Sequence, residues 1–276
     1  MFADIFASME TRTPLVHCIT NYVTVNDVAN MILACGGSPI MADDAAEVEE
    51  ITSICSALVI NIGTLNSRTI ESMLLAGKRA NALGHPVILD PVGAGASSLR
   101  TETTFRLLKD VKFSVIRGNI SEIKTVAMGA GNTQGVDADA ADAVTEENLS
   151  ETVSFAKRLS QKTGAVIAIT GAIDIITDGE ETYICRNGVP EMSRITGTGC
   201  MLDGVIAAYA AANPEHPAKA AAAAVSAEGL AGELARARME QENGGTSSLR
   251  TYLIDAMSRM DAQTWRKGAK VEVFEG

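Results

Sequence analysis

Four short, nearly all-apolar runs constrain the fold most: Ala57-Leu-Val-Ile-Asn-Ile62, Pro86-Val-Ile-Leu-Asp90, Phe113-Ser-Val-Ile-Arg117 and Ala165-Val-Ile-Ala-Ile-Thr170. They do not alternate polar with apolar residues, and strands of that kind are buried on both faces, as in a parallel sheet covered by helices. Helical spacing fills the intervals. Residues 67–83 place Ile70, Met73, Leu74 and Leu75 on one side, with Gly84 as the stop. Helices are also predicted over 98–108, over 121–128 with Ser121 as N-cap, and over 146–163. The βαβα order predicts a doubly wound α/β sandwich. After Asp174 the pattern changes: 174–179 and 182–188 read as two strands joined at Asp178-Gly179. Helices then follow over 199–211, 217 to about 239 and 247–260, and a short strand over 271–274. No internal repeat is evident, and the Gly/Asp/Ala-rich segment 129–143 is short, so residues 1–276 read as a single domain.

The hydrophobic share of 46% supports a sizeable core. With 23 Lys+Arg against 34 Asp+Glu, the formal charge of −11 argues against nucleic acid as a partner and against anionic lipid. The five cysteines form no C-x-x-C pair, which fits reduced thiols in a cytoplasmic protein. The N-terminal stretch has neither the basic start nor the apolar run of a signal peptide, and no stretch reaches the roughly 18 apolar residues of a membrane helix.

Each apolar run ends in polar or glycine residues: Asn61-Ile-Gly63, Asp90-Pro-Val-Gly93, Arg117-Gly-Asn119, Thr170-Gly171. Any one of these reads equally as an ordinary turn. Four in succession, brought to one edge by parallel strands, form a rim where α/β sheets bind ligands. Gly93-Ala-Gly95-Ala-Ser-Ser98 resembles half of a dinucleotide fingerprint. However, Ser98 replaces the third glycine, and Arg117 ends the next strand where such a site needs an acid. The run 129–135 lacks the Lys-Ser/Thr of a phosphate-binding P-loop, and Asp137, Asp139 and Asp142 lack the glycine and glutamate of a calcium loop, so the latter reads as a solvated acidic loop.

Ile195-Thr-Gly-Thr-Gly-Cys-Met-Leu-Asp-Gly204 is the strongest motif. Gly197 and Gly199 allow backbone amides to approach an anion, and the helix that follows adds positive potential at its start. Cys200 falls in the first turn, where a thiolate is favoured; the alternative is a small buried thiol at a tightly packed helix start. His17 lies in an apolar segment and reads as a core or interface histidine. His85 and His216 precede prolines in loops, and no Ser-His-Asp or metal-ligand spacing emerges.

The chain resembles the hydroxyethylthiazole kinases of the ribokinase-like superfamily. The matching stretches are Pro14-Leu-Val-His-Cys-Ile-Thr-Asn-Tyr-Val-Thr-Val-Asn-Asp27, Gly37-Ser-Pro-Ile-Met-Ala42, Asn61-Ile-Gly-Thr-Leu65, Leu89-Asp-Pro-Val-Gly-Ala-Gly95, Ile116-Arg-Gly-Asn119 with Ser121-Glu-Ile123, and Gly197-Thr-Gly-Cys200. The resemblance implies a three-layer α/β/α sandwich with a mostly parallel central sheet. It implies transfer of phosphate from ATP, with Mg2+, to the primary hydroxyl of 4-methyl-5-(2-hydroxyethyl)thiazole in thiamine salvage. It also implies a homotrimer with active sites at subunit interfaces.

By motif, Met41, Asn21, Val23 and Gly197 correspond to substrate contacts, and Arg117, Thr170 and Asn119 to ATP-binding positions. Asp90 and Glu122 correspond to the magnesium site, and Gly197, Thr198, Gly199 and Cys200 to the catalytic loop. Most of the superfamily carries Asp where Cys200 stands, including kinases of hydroxymethylpyrimidine, whereas the thiazole kinases share the Cys. A thiol pKa near 8.5 must fall for efficient proton removal, and phosphoryl transfer depends mostly on positioning and charge stabilisation, so Cys200 is expected to aid the rate without being indispensable. A non-catalytic nucleotide-binding protein is the remaining alternative. Phosphate met by amides, a helix start, Mg2+ and Arg117 is compatible with an acidic chain.

Overall fold

The computed structural model describes residues 2–131 and 143–275. The acidic loop at Asp137–Asp142 and most of the glycine run 129–135 lie outside them. Strands β1 (Leu15–Ile19), β2 (Ser38–Met41), β3 (Ala57–Asn61), β4 (Val87–Asp90), β5 (Val115–Gly118), β6 (Val166–Ile169), β7 (Asp174–Thr177), β8 (Thr182–Cys185) and β9 (Val271–Val273) form one nine-stranded sheet. The spatial order is β2-β1-β3-β4-β5-β6-β7-β8-β9. Strands β1 to β6 pair in parallel, and β7, β8 and β9 extend the sheet antiparallel. The sheet grows from β1 to β2 on one side and from β3 onward on the other. The gap beyond β1 and β3 is therefore the topological switch point.

Helices α1 (Ala3–Thr11), α2 (Val25–Ala34), α3 (Val48–Ile54), α4 (Ser67–Leu83), α5 (Ser98–Asp110), α6 (Ile120–Gly129), α7 (Leu149–Thr163), α8 (Thr198–Ala212), α9 (Pro217–Gln241), α10 (Thr246–Met257) and α11 (Ala262–Gly268) cover both faces. A 3-10 turn spans Pro190–Arg194. Strand side chains still alternate, although both sets are apolar. Val16, Val59, Ile88 and Val115 pack under α1, α2 and α8–α11, whereas Leu58, Ile60, Leu89 and Ile167 pack under α3–α7. These are the three layers, α/β/α. No helix among the described residues is long and apolar enough to cross a membrane, and all five cysteines are free.

Local chemistry sets the boundaries. The α4 helix spans the expected 67–83: Asn66 and Thr69 cap each other, and Gly84 takes the left-handed conformation (φ 73°) that ends a helix. Ser121 does not cap α6. Asn119 does, because its Oδ1 accepts from Glu122 N while Glu122 Oε2 accepts from Asn119 N, both at 2.9 Å. The segment 247–260 is not one helix. The α10 helix ends at Met257, and Asp261 starts α11 by accepting from Thr264 N at 2.6 Å. The α11 helix docks through Trp265, whose indole N–H donates to Ser226 Oγ at 2.8 Å. His17 is fully buried, as expected, between Thr52 Oγ1 and the Ala42 carbonyl, each at 2.9 Å. The segment before β9 is tied to the loop after β8. Arg186 N donates to the Lys270 carbonyl (2.9 Å), Lys270 N to Asn187 Oδ1 (2.7 Å), and Asn187 Nδ2 to the Gly268 carbonyl (3.0 Å).

Candidate active site

The polar strand ends do meet at one edge. Asn61 ends β3 directly beside Asp90, which ends β4. The turn after β1 supplies Asn21, whose Nδ2 donates to Asn61 Oδ1 and to Cys200 Sγ, both at 3.1 Å. Asn61 Nδ2 in turn donates to Asp90 Oδ2 at 2.6 Å, with longer contacts to Cys200 Sγ (3.3 Å) and Asp203 Oδ2 (3.4 Å). Arg117, in β5, closes the group. Its Nη1 lies 3.4 Å from Asp90 Oδ2 and 3.9 Å from Asp203 Oδ1, and its Nε donates to Thr170 Oγ1 at 3.0 Å.

The α8 helix starts against this group, and the two loop glycines are required by it. Gly197 has φ 88°, and a Cβ there would lie 2.3 Å from Thr24 Cγ2; a Cβ on Gly199 would lie 2.4 Å from Arg117 Nη1. Gly197 supplies no side-chain cap, and first-turn amides have no partner within their own helix. Thr198 and Gly199 therefore present N–H groups beside a guanidinium, an anion-binding arrangement. Glu122 is tied in from α6, its Oε1 accepting from Gly93 N at 2.8 Å. Met41 ends β2 beside Cys18 at the same edge, half-buried. Val23 is exposed, in the turn before Thr24. Neither joins the hydrogen-bonded group.

Burial dominates the electrostatics. It raises the Cys200 pKa, helped by the charge of Asp90, against hydrogen bonds from Thr24 and Asn21 and the charge of Arg117. The expectation of a favoured thiolate is thus corrected: the helix start is present, but the sulfur is withdrawn from water beside a carboxylate. Burial and Asp90 also hold Asp203 well above the carboxylate range. Burial opposes the charge on Arg117, but Asp90, Asp203 and Glu122 outweigh it and raise its pKa. Glu122 is raised by burial, against the Gly93 hydrogen bond.

A cavity of about 590 Å³ opens next to Arg117, Thr170 and Gly199. Val189, Pro190, Met192 and Val225 give it an apolar wall, and Asp174 and Glu228 line it as well. Burial pushes Asp174 up to about 7 and Glu228 up to about 8.

Ligand atoms of Asp90, Cys200 and Asp203 lie within 4.8 Å of one another. The Arg117 guanidinium stands against Asp90 and Asp203 of this group. Asp203 went unread in the sequence. Its available signal was position: it is the sole charged residue of α8, three positions after Cys200.

A parallel sheet with an antiparallel extension carries a glycine-started helix over a buried Asp–Arg pair at the ends of β4 and β5, the layout of the ribokinase-like fold class. A structure described as a ribokinase-like superfamily protein from Enterococcus faecalis V583 has the same fold (TM-score 0.60, 14% identity, 89% of this chain and 86% of that one). A profile of the hydroxyethylthiazole kinase family matches residues 6–263. A hydroxyethylthiazole kinase from Clostridium acetobutylicum is 57% identical, covering 99% of this chain and 100% of the relative. The structure of a hydroxyethylthiazole kinase protein from Pyrococcus horikoshii OT3 superposes with TM-score 0.85 at 35% identity, covering 98% and 99% of the two chains. The chain belongs to the hydroxyethylthiazole kinase family.

Proposed function

We propose that the chain transfers the γ-phosphoryl group of ATP to the primary hydroxyl of 4-methyl-5-(2-hydroxyethyl)thiazole, and that residues 1–276 act as one kinase domain. The observation that carries the residue assignment is the position of Arg117. It is pinned by Asp90 and Thr170 against Gly199, where the free amides of α8 begin. Transferring phosphate oxygens in this corner meet a guanidinium and backbone N–H groups together, the positioning and charge stabilisation on which phosphoryl transfer depends. The cavity beyond Thr170 takes the nucleotide, with Asn119 and Thr170 at the phosphates. Asn21, Met41, Val23 and Gly197 hold the thiazole on the β1–β2 side.

The hydroxyl oxygen attacks the γ-phosphorus, the bond to ADP breaks, and the hydroxyl proton passes toward Cys200 or water. Because burial raises its pKa, Cys200 is mostly the thiol near neutral pH and accepts the proton only in its small thiolate fraction, with a modest effect on rate.

The carboxylates fit Mg2+. Asp90 Oδ1 is buried with no hydrogen-bond partner among the described residues, Glu122 lies close enough to feel the charge of Asp90, and hard divalent cations prefer oxygen donors. Asp90 and Glu122 would hold the ion, which when bound would offset phosphate charge. A homotrimer in the cytoplasm, with the exposed Tyr22-Val23 turn at a subunit interface, completes the reading. The test is ATP consumption with the hydroxyethylthiazole over a Mg2+ series. Saturable turnover lost on chelation is expected, and no turnover by folded protein would overturn the proposal.

A further inference from the structure

We infer that Asp203 is a positioning residue for nucleotide binding, acting through Arg117 and Asn61. The site is built around it. Asp203 is fully buried in a helix whose neighbouring residues Met201, Leu202, Val205 and Ile206 are apolar. Packing alone would be served by another apolar side chain, and a carboxyl costs stability in such a place unless its contacts matter. Those contacts all point toward the reaction corner. Asp203 Oδ2 accepts from Asn61 Nδ2, the amide that also reaches Asp90 and Cys200. Its Oδ1 lies 3.9 Å from Arg117 Nη1, the same nitrogen that stands 3.4 Å from Asp90 Oδ2. Two neighbouring carboxyl groups thus share one terminal nitrogen, while Thr170 holds Nε. Both terminal nitrogens lie beside Gly199, and Nη2, which faces neither carboxyl, is the donor left for a phosphate.

Removing Asp203 leaves Asp90 as the one carboxyl at Arg117 Nη1, and leaves the Asn61 amide to choose between Asp90 and the thiol. The inference rests on the phosphoryl-transfer reading of the site, yet it can fail separately.

The experiment compares wild type, Asp203→Ala, Asp203→Ser and Asp203→Asn, with melting curves confirming the fold. ADP affinity is measured by calorimetry in EDTA, and KM for ATP and for the thiazole by steady-state kinetics with Mg2+. Asp203→Ala and Asp203→Ser should weaken ADP and raise the KM for ATP about tenfold, with the thiazole KM within twofold. Asp203→Asn keeps an oxygen that accepts from Asn61 and faces Arg117, and should stay within threefold of wild type. Unchanged ADP affinity in the Ala and Ser variants would overturn the inference, as would an Asn variant no better than Ala, or a wild type that binds no ADP. Absent thiazole turnover with a tenfold ADP difference intact would sink only the functional reading.

Discussion

Cys200 stands at the start of a helix, a place that ordinarily lowers a thiol pKa, but burial beside Asp90 raises it instead. Thiolate therefore accumulates only above the ordinary thiol range. Cys200→Ala should reduce kcat by about tenfold, short of the 10²–10⁴ typical of a committed general base. The wild-type kcat should climb with pH on the alkaline side, and the Ala variant should lose that climb. A pH profile of kcat for both proteins decides this; an identical alkaline limb would exclude the thiol. At this scale the sequence was most readable where a residue's neighbours in the chain carry its chemistry. Gly197, Gly199 and Asp90 announced themselves at strand and helix ends. Asp203 did not, because its partners Asn61 and Arg117 lie 142 and 86 positions away, and one acid in an Ala-rich helix looks like a surface residue.

Elements were legible in proportion to how local their signals are. The α4 helix was read to the residue because Asn66 and Gly84 mark both ends by themselves. The buried parallel strands β3 to β6 were found because both of their faces are apolar. The first strands escaped that pattern: β1 carries His17, made acceptable in the core only by Thr52 and Ala42, and β2 is a four-residue edge strand containing a proline. The start of α6 was misplaced because Ser121 and Asn119 are both good caps, and only the Glu122 reciprocal bond decides between them. That bond yields a prediction. Asn119→Ala should cost about 1 kcal/mol of unfolding free energy, as cap deletions do. It should also lower kcat/KM by more than that energy implies, because Glu122, proposed to hold Mg2+, loses an anchor. Urea melts and kinetics on the same preparation test the two parts. Weakened melting with wild-type kcat/KM would confine Asn119 to capping.

For the molecule as a whole, the charge of −11 and the acids buried within it act differently. Surface acids favour solubility. Glu228 is buried, its Oε2 has no hydrogen-bond partner among the described residues, and burial lifts its pKa from 4.5 to about 8. Between those values the folded chain keeps a proton that the unfolded chain releases. The contribution is therefore complete below the lower value and fades as pH rises through the upper one. Glu228→Gln should gain on wild type as pH moves from about 5 to 9, by several degrees of Tm. A stability difference independent of pH would contradict this account.

The tie between Asn187, Gly268 and Lys270 has a mechanical meaning. Asn187 lines the large cavity, so the approach to β9 works as a latch on the cavity wall. Tension on the polypeptide near Lys270, from a fused partner or a surface attachment, would reach the cavity wall before it reached the parallel sheet.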